Sequence, residues 1–153
     1  MCQVSLPCRP MPRNMDKWLG DGGMPLIGQF GAAFDGYGEG WAEAEWRPAD
    51  LCCNPAGIVQ AGVHSVLLDA AMNFAILASL EPGERGATLE IKTSTMRAVR
   101  AGDHLRVRGE VVRLARQVAY VEGWVRRADG DHEGELVSHA SGTFIVQRAE
   151  APG

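Results

Sequence analysis

Ala61-Gly-Val-His-Ser-Val-Leu-Leu-Asp-Ala-Ala-Met-Asn-Phe-Ala-Ile-Leu-Ala-Ser79 is the stretch on which the reading of this chain turns. It is rich in strong helix formers and contains no proline. It is also apolar on nearly every side, where a surface helix would carry a single apolar stripe. Such a helix must be wrapped by the rest of its domain or lie in a membrane. Asp69 and Asn73 near its centre argue against a membrane span. Asp69 has no lysine or arginine within two turns, and an unpaired buried carboxylate is costly. Ser65 and Asn73 lie one turn to either side of it, on the same face. That face reads as the floor of a reaction site.

Before the helix, residues 26–34 read as a strand, 35–40 as a glycine-rich turn, and 40–46 as an alternating second strand. Trp41 and Trp46 are its bulky members, and Glu43 and Glu45 share one face, which makes a hairpin. Pro48 stops that strand. The loop from 47 to 57 holds Cys52, Cys53 and Asn54, and Pro55 and Gly57 keep it irregular until the helix begins. Pro82 and Gly83 end the helix. Beyond them the period changes to two. Residues 87–96, with β-branched Thr88, Ile91, Thr93 and Thr95, read as a strand, as do 104–114, 118–127 and 135–146. A short helix is expected at 15–19. The domain limits follow: a lead-in over 1–25, a single domain over 26–147, and a tail over 148–153.

One buried helix and an antiparallel meander satisfy each other only if the sheet curls around the helix, an α+β arrangement. The open edges of a curled sheet are usually paired with another copy, so at least a dimer is expected.

The gross numbers narrow the function classes. A chain of 153 residues with 46% hydrophobic and 22% charged residues fits one ordinary globular domain. A net charge of −4 leaves no basic footprint for nucleic acid. Cys2, Cys8, Cys52 and Cys53 form no CxxC pair and no zinc-ligand spacing, which suits a reducing cytoplasm and inert thiols. Residues 1–23 lack the apolar core of a secretory signal. There is no metal-ligand cluster and no glycine-rich phosphate loop.

The segment Asn54-Pro-Ala-Gly-Ile-Val-Gln-Ala-Gly-Val-His-Ser-Val-Leu-Leu-Asp69 resembles the signature of hotdog-fold acyl-CoA thioesterases. The likeness is to the phenylacetate-pathway (PaaI-like) branch of the 4-hydroxybenzoyl-CoA thioesterase superfamily. That family shows Asn or Gln in a loop, His-Gly-Gly at a helix start, and Asp or Glu on the helix. Asn54 falls on the loop amide, Gln60-Ala61-Gly62 on His-Gly-Gly, and Asp69 on the carboxylate. Gly86-Ala-Thr-Leu-Glu-Ile91 is similar to the family's next strand, with Thr88 at its water-positioning Ser or Thr. The likeness covers residues 26 to 146. It departs at the helix start, where Gln60-Ala61 replaces His-Gly.

The resemblance implies a hotdog fold and hydrolysis of an acyl- or aryl-CoA thioester without a cofactor, in a homodimer or homotetramer. The backbone N–H of Ala61, with Gly62, would polarise the thioester carbonyl at the positive end of the helix. Asp69 would activate water or attack directly. Asn54 would hold Asp69 or the substrate, and Thr88 of a second chain would orient the water, with Asn73 a second candidate for that task. Gln60, Asn73, Arg97 and Arg116 are the candidate substrate contacts. Arg97, Arg100, Arg113 and Arg116 are expected near the pocket mouth, where guanidinium suits phosphate.

Read without the resemblance, Asp69 is equally a structural carboxylate tied to loop N–H groups at the dimer seam, and Asn54 a turn residue. His64, off the Asp69 face, reads as a core or interface histidine. Two other functions remain open. A non-catalytic acyl-thioester binder is favoured by Gln60-Ala61. A hydratase or dehydratase would need a pocket histidine that no motif here supplies.

Overall fold

The structure, a computed structural model, describes residues 13–129 and 132–149. Cys2 and Cys8 therefore lie outside the described residues. Six strands form one antiparallel sheet in the order β1-β2-β4-β5-β6-β3. These are β1 (Ala32–Gly38), β2 (Trp41–Trp46), β3 (Arg85–Thr95), β4 (Leu105–Leu114), β5 (Val118–Asp129) and β6 (His132–Gln147). A short helix α1 (Pro25–Gln29) precedes β1, and the long helix α2 (Ala61–Leu77) lies between β2 and β3. The sheet curls around α2, which packs on β2, β3, β4 and β5. This is the hotdog fold expected from the sequence.

Ten of the seventeen residues of α2 are buried, as an all-round apolar helix requires. Leu68, Met72 and Ile76 are fully enclosed; burying each side chain is worth about 2 kcal/mol. Phe74 stacks on Phe34 of β1 with ring centroids 4.2 Å apart. Strand β2 alternates cleanly, with Ala42, Ala44 and Trp46 buried and Trp41, Glu43 and Glu45 on the outer face. The Trp46 indole N–H donates to the Phe30 carbonyl. On the outer face Arg106 reaches Asp35 with both terminal nitrogens and Glu43 with Nε, while Arg108 lies over Trp41.

Two expectations near the N-terminus are corrected. Residues 26–29 are helical, because Pro25 at the first helical position presets φ and gives up an N–H that would be unpaired there anyway. The chain enters β1 only after Gly31, where a side chain would strike the Arg47 carbonyl. The glycine-rich stretch from 35 to 40 is also mostly strand. β1 runs through Gly38, and a Cβ at Gly38 would occupy the space filled by the Trp41 indole. The reversal itself is at Glu39 and Gly40. In the lead-in, a 3₁₀ turn spans Asp16–Trp18 and Met15 is fully buried.

The sheet has two edges, β1 and β3. β3 pairs only with β6, and Leu89 stands 65% exposed at a bulge between Thr88 and Glu90. Among the described residues, no helix is long and apolar enough to cross a membrane.

Candidate active site

The loop from 47 to 60 delivers the chain to the start of α2. Asn54 organises it: its side-chain oxygen accepts the backbone N–H of Ala56 at 3.0 Å and of Ile58 at 3.1 Å, an Asx turn that replaces a backbone ladder. Gly57 takes φ +78°, which lets the chain reverse. The Gln60 N–H donates to the Cys52 carbonyl, and Gln60 is the N-cap of α2 without a capping side-chain bond. Ala61 and Gly62 are exposed, and their N–H groups donate to no described residue. A Cβ at Gly62 would meet only open space. An open groove of about 430 Å³ lies here, lined by Asn54, Gln60 and Ala61 on one side and Thr95, Met96 and Arg97 on the other.

A second cluster lies further along α2. The Thr88 hydroxyl donates to Asp69 Oδ1 at 2.6 Å, and the Asn73 amide donates to Thr88 Oγ1 at 3.2 Å. Helical spacing stacks Asp69 and Asn73 on one face, and β3 brings Thr88 across to them. Asp69 is half-buried, and no cation or loop N–H among the described residues ties it off.

The structure thus sorts the candidates into two groups. Asn54, Gln60, Ala61 and Arg97 line the groove, with Gly62 beside them at the helix start; Asp69, Asn73 and Thr88 form the carboxylate cluster. Eight residues of helix separate Ala61 from Asp69, which is about 12 Å along the axis.

Three placements correct the sequence reading. The Thr88 that bonds Asp69 belongs to the same chain, since β3 runs beside α2 in the same sheet. Asn54 makes no hydrogen bond to Asp69 within the chain; its oxygen serves its own loop, and Thr88 is the residue that bonds Asp69. The four arginines do not gather within one chain. Arg97 and Arg100 lie near the start of β4, and Arg113 and Arg116 near its end, a strand length of roughly 30 Å. Arg97 pairs with Glu135; Arg116 is exposed, and its carbonyl accepts from Arg148.

Thr95 and Met96 are groove residues that the sequence reading passed over. The period of two that puts Ile91, Thr93 and Thr95 on one face of the strand was the available signal. His64 is buried, with Nδ1 3.0 Å from Ser138 Oγ and its ring edge-on to Trp46. Its Nε2 has no partner among the described residues. Burial pushes its pKa down to about 4. Cys52 is buried and Cys53 half-buried, both as free thiols, and burial pushes the Cys52 thiol up, as suits an inert group. Among the described residues no set of three His, Cys, Asp or Glu side chains could hold a metal ion.

Known proteins share this fold. The family model of the thioesterase superfamily matches residues 56–133, just over half of the chain. A thioesterase of Haemophilus influenzae superposes with a TM-score of 0.78 at 20% identity, covering 90% of this chain and 94% of that one; this likeness is one of fold. A phenylacetic acid degradation-related protein of Ralstonia eutropha is 30% identical, with a TM-score of 0.69 over 79% of this chain and 89% of that one. An esterase-named protein of Pseudomonas aeruginosa is 31% identical over 93 residues, which are 60% of this chain and 65% of that protein. The aligned chain therefore spans just under two thirds of that relative. By the family match over residues 56–133 the chain belongs to the thioesterase superfamily, and its fold is the hotdog fold of the structures it superposes on.

Proposed function

We propose that the protein hydrolyses an acyl- or aryl-CoA thioester to the free acid and coenzyme A, in a site shared by two copies of the chain. The observation that carries this reading is Asp69, a carboxylate with no cationic partner among the described residues, held on one oxygen by Thr88. Its other oxygen, Oδ2, bonds to no described residue. Water attacking the carbonyl carbon gives its proton to Oδ2. The resulting oxyanion accepts the free N–H groups of Ala61 and Gly62 at the positive end of α2. Collapse breaks the C–S bond, and the departing thiolate takes the proton. Direct attack by Oδ2, followed by water opening the anhydride, yields the same products. Neither route calls for a metal or a redox cofactor.

The distance along α2 argues for two chains. A thioester carbonyl at Ala61 lies ~12 Å from Asp69 of the same helix, too far for one attack. The long edge strand β3, with Leu89 exposed on it, supports pairing with a second copy. Such pairing would bring the helix start of one protomer toward Asp69 of its partner. Asn54 offers the substrate its amide nitrogen, since its oxygen serves the loop. Gln60 and Arg97 flank the acyl-CoA in the groove. Arg116, at the far end of β4, would serve only as a contact supplied to the partner's site.

The test is thiol release from acetyl-, hexanoyl-, benzoyl- and phenylacetyl-CoA, beside Asp69→Ala. Release that disappears in the variant supports hydrolysis. Binding of these thioesters without release, in both proteins, makes the protein an acyl-thioester binder. Undiminished release in the variant removes Asp69 from the mechanism.

A further inference from the structure

A threonine hydroxyl has one proton to give and two lone pairs to fill. An ionised Asp69 can only accept, so the 2.6 Å contact commits the Thr88 proton to Asp69 Oδ1. Thr88 is then left as an acceptor, and the group that meets it at 3.2 Å must be a donor. Asn73 turns its amide nitrogen there. The other end of that amide faces Gly86. Asn73 Oδ1 lies 3.4 Å from the place a Cβ on Gly86 would take, and Ile76 closes the same slot at 3.3 Å. Gly86 precedes Thr88 by two residues on β3, so both face α2. The absence of a side chain at 86 leaves room for the Asn73 carboxamide in this orientation.

We propose that Asn73 is a positioning residue that sets the direction of a hydrogen-bond chain running Asn73 to Thr88 to Asp69. The chain holds Oδ1 of the carboxylate and leaves Oδ2 as the oxygen presented to water or thioester. Without the Asn73 donor, the Thr88 hydroxyl is free to turn toward strand carbonyls, and the Asp69 carboxylate is free to rotate. The inference rests on the hydrolase reading above and adds to it a residue that touches neither substrate nor water.

The test is a kinetic cycle on the full-length protein with Asn73→Ala, Thr88→Val and the double variant, using the fastest thioester of the four named above. Alanine favours the helix and valine favours the strand, so both variants keep the fold; thermal melts check this. The Asn73→Ala variant is expected to lose about tenfold in kcat, the worth of one hydrogen bond to a charged network, with KM within about twofold. The double variant is expected to match Thr88→Val alone, because the amide acts only through that hydroxyl. Thr88→Ser, which keeps the hydroxyl, is expected to stay within about threefold of the parent protein.

A kcat for Asn73→Ala within twofold of the parent overturns the proposal. So does a raised KM with kcat unchanged, which would make Asn73 a substrate contact. So do losses that multiply in the double variant. Asp69→Ala separates the two levels. If it abolishes release while Asn73→Ala does not reduce it, only the relay is lost. If it leaves release intact, Asp69 leaves the mechanism and the relay falls with it; if no thioester is cleaved at all, the hydrolase reading falls and takes the relay along.

Discussion

A Cβ placed on Gly109 of β4 would stand 2.5 Å from the carbonyl oxygen of Ala71 in α2. Helix and sheet meet backbone to backbone at this point, and the obstructing atom is not one that can swing aside. Gly123 on β5 sits nearby under Leu68 and Met72, so the sheet is thinned where the helix crosses it. Gly109→Ala is therefore expected to destabilise the fold by about 3 kcal/mol, the upper end for overpacking. Denaturant titration reads this directly. An unchanged midpoint would mean that the helix can lift from the sheet at no cost.

His64 gives the fold a pH dependence. Its folded pKa, about 4, lies below the ordinary value of 6.5 because burial disfavours the charged ring. Between those values the unfolded chain binds a proton that the folded chain refuses. Stability is thus fully present above about pH 6.5, falls as the pH drops, and levels off near pH 4. The histidine's share of that loss is up to about 3 kcal/mol. Carboxylates titrate in the same region, so the readable quantity is the difference between the parent and His64→Gln, which keeps a partner for Ser138. The slope from pH 6.5 to 4 is expected to be shallower in the variant; equal slopes would contradict the assignment.

Asn54 has separable duties. Its oxygen holds two loop N–H groups, so Asn54→Ala is expected to lose about 1–2 kcal/mol of stability. Asn54→Asp retains an acceptor in the same place and is expected to melt close to the parent. It has no N–H for a thioester, however, and thiol release is expected to fall by about tenfold. Full activity in Asn54→Asp would confine the residue to the loop.

The helix start can be edited one atom at a time. Ala61 is the first residue of α2, and Gln60 before it has φ −58° and ψ 134°, a conformation that a following proline allows. Ala61→Pro should fold, since proline is well tolerated there. It deletes one N–H and nothing else of consequence. A loss of about 10²–10³ in kcat is expected. Retained activity would remove Ala61 from the oxyanion site and leave Gly62 as the only donor.

Much of this was legible in the sequence because the physics was local. An all-round apolar helix with one lone acid has few homes, and period-two patterns after Gly86 mark their own strands. The resemblance from Asn54 to Asp69 offered candidate positions, and the structure sorts them into a groove and a carboxylate cluster. Its wiring was hidden, because that depends on which strand lies beside which helix face. Nothing in the spacing of Asn73 and Thr88 announces a bond between them; the register of β3 on β6 makes it. The arginines misled for the same reason, since nearness along the chain at 97–100 and 113–116 says nothing about the ends of β4. Residues 26–29 and Gly38 misled differently. The first read as strand and the second as turn, and each answers to a neighbour, Pro25 at the first turn of α1 and the Trp41 indole.

The most direct test mixes two inactive proteins. Ala61→Pro lacks one oxyanion donor and Asp69→Ala lacks the carboxylate, so each protein alone is expected to be nearly inactive. The two are unfolded together, refolded as a mixture, and assayed for thiol release from the fastest thioester. If one chain's helix start works with the other chain's acid, each mixed dimer contains one intact site, and random pairing restores about a quarter of the parent activity. Release no greater than the sum of the two separate variants would contradict a site shared between chains.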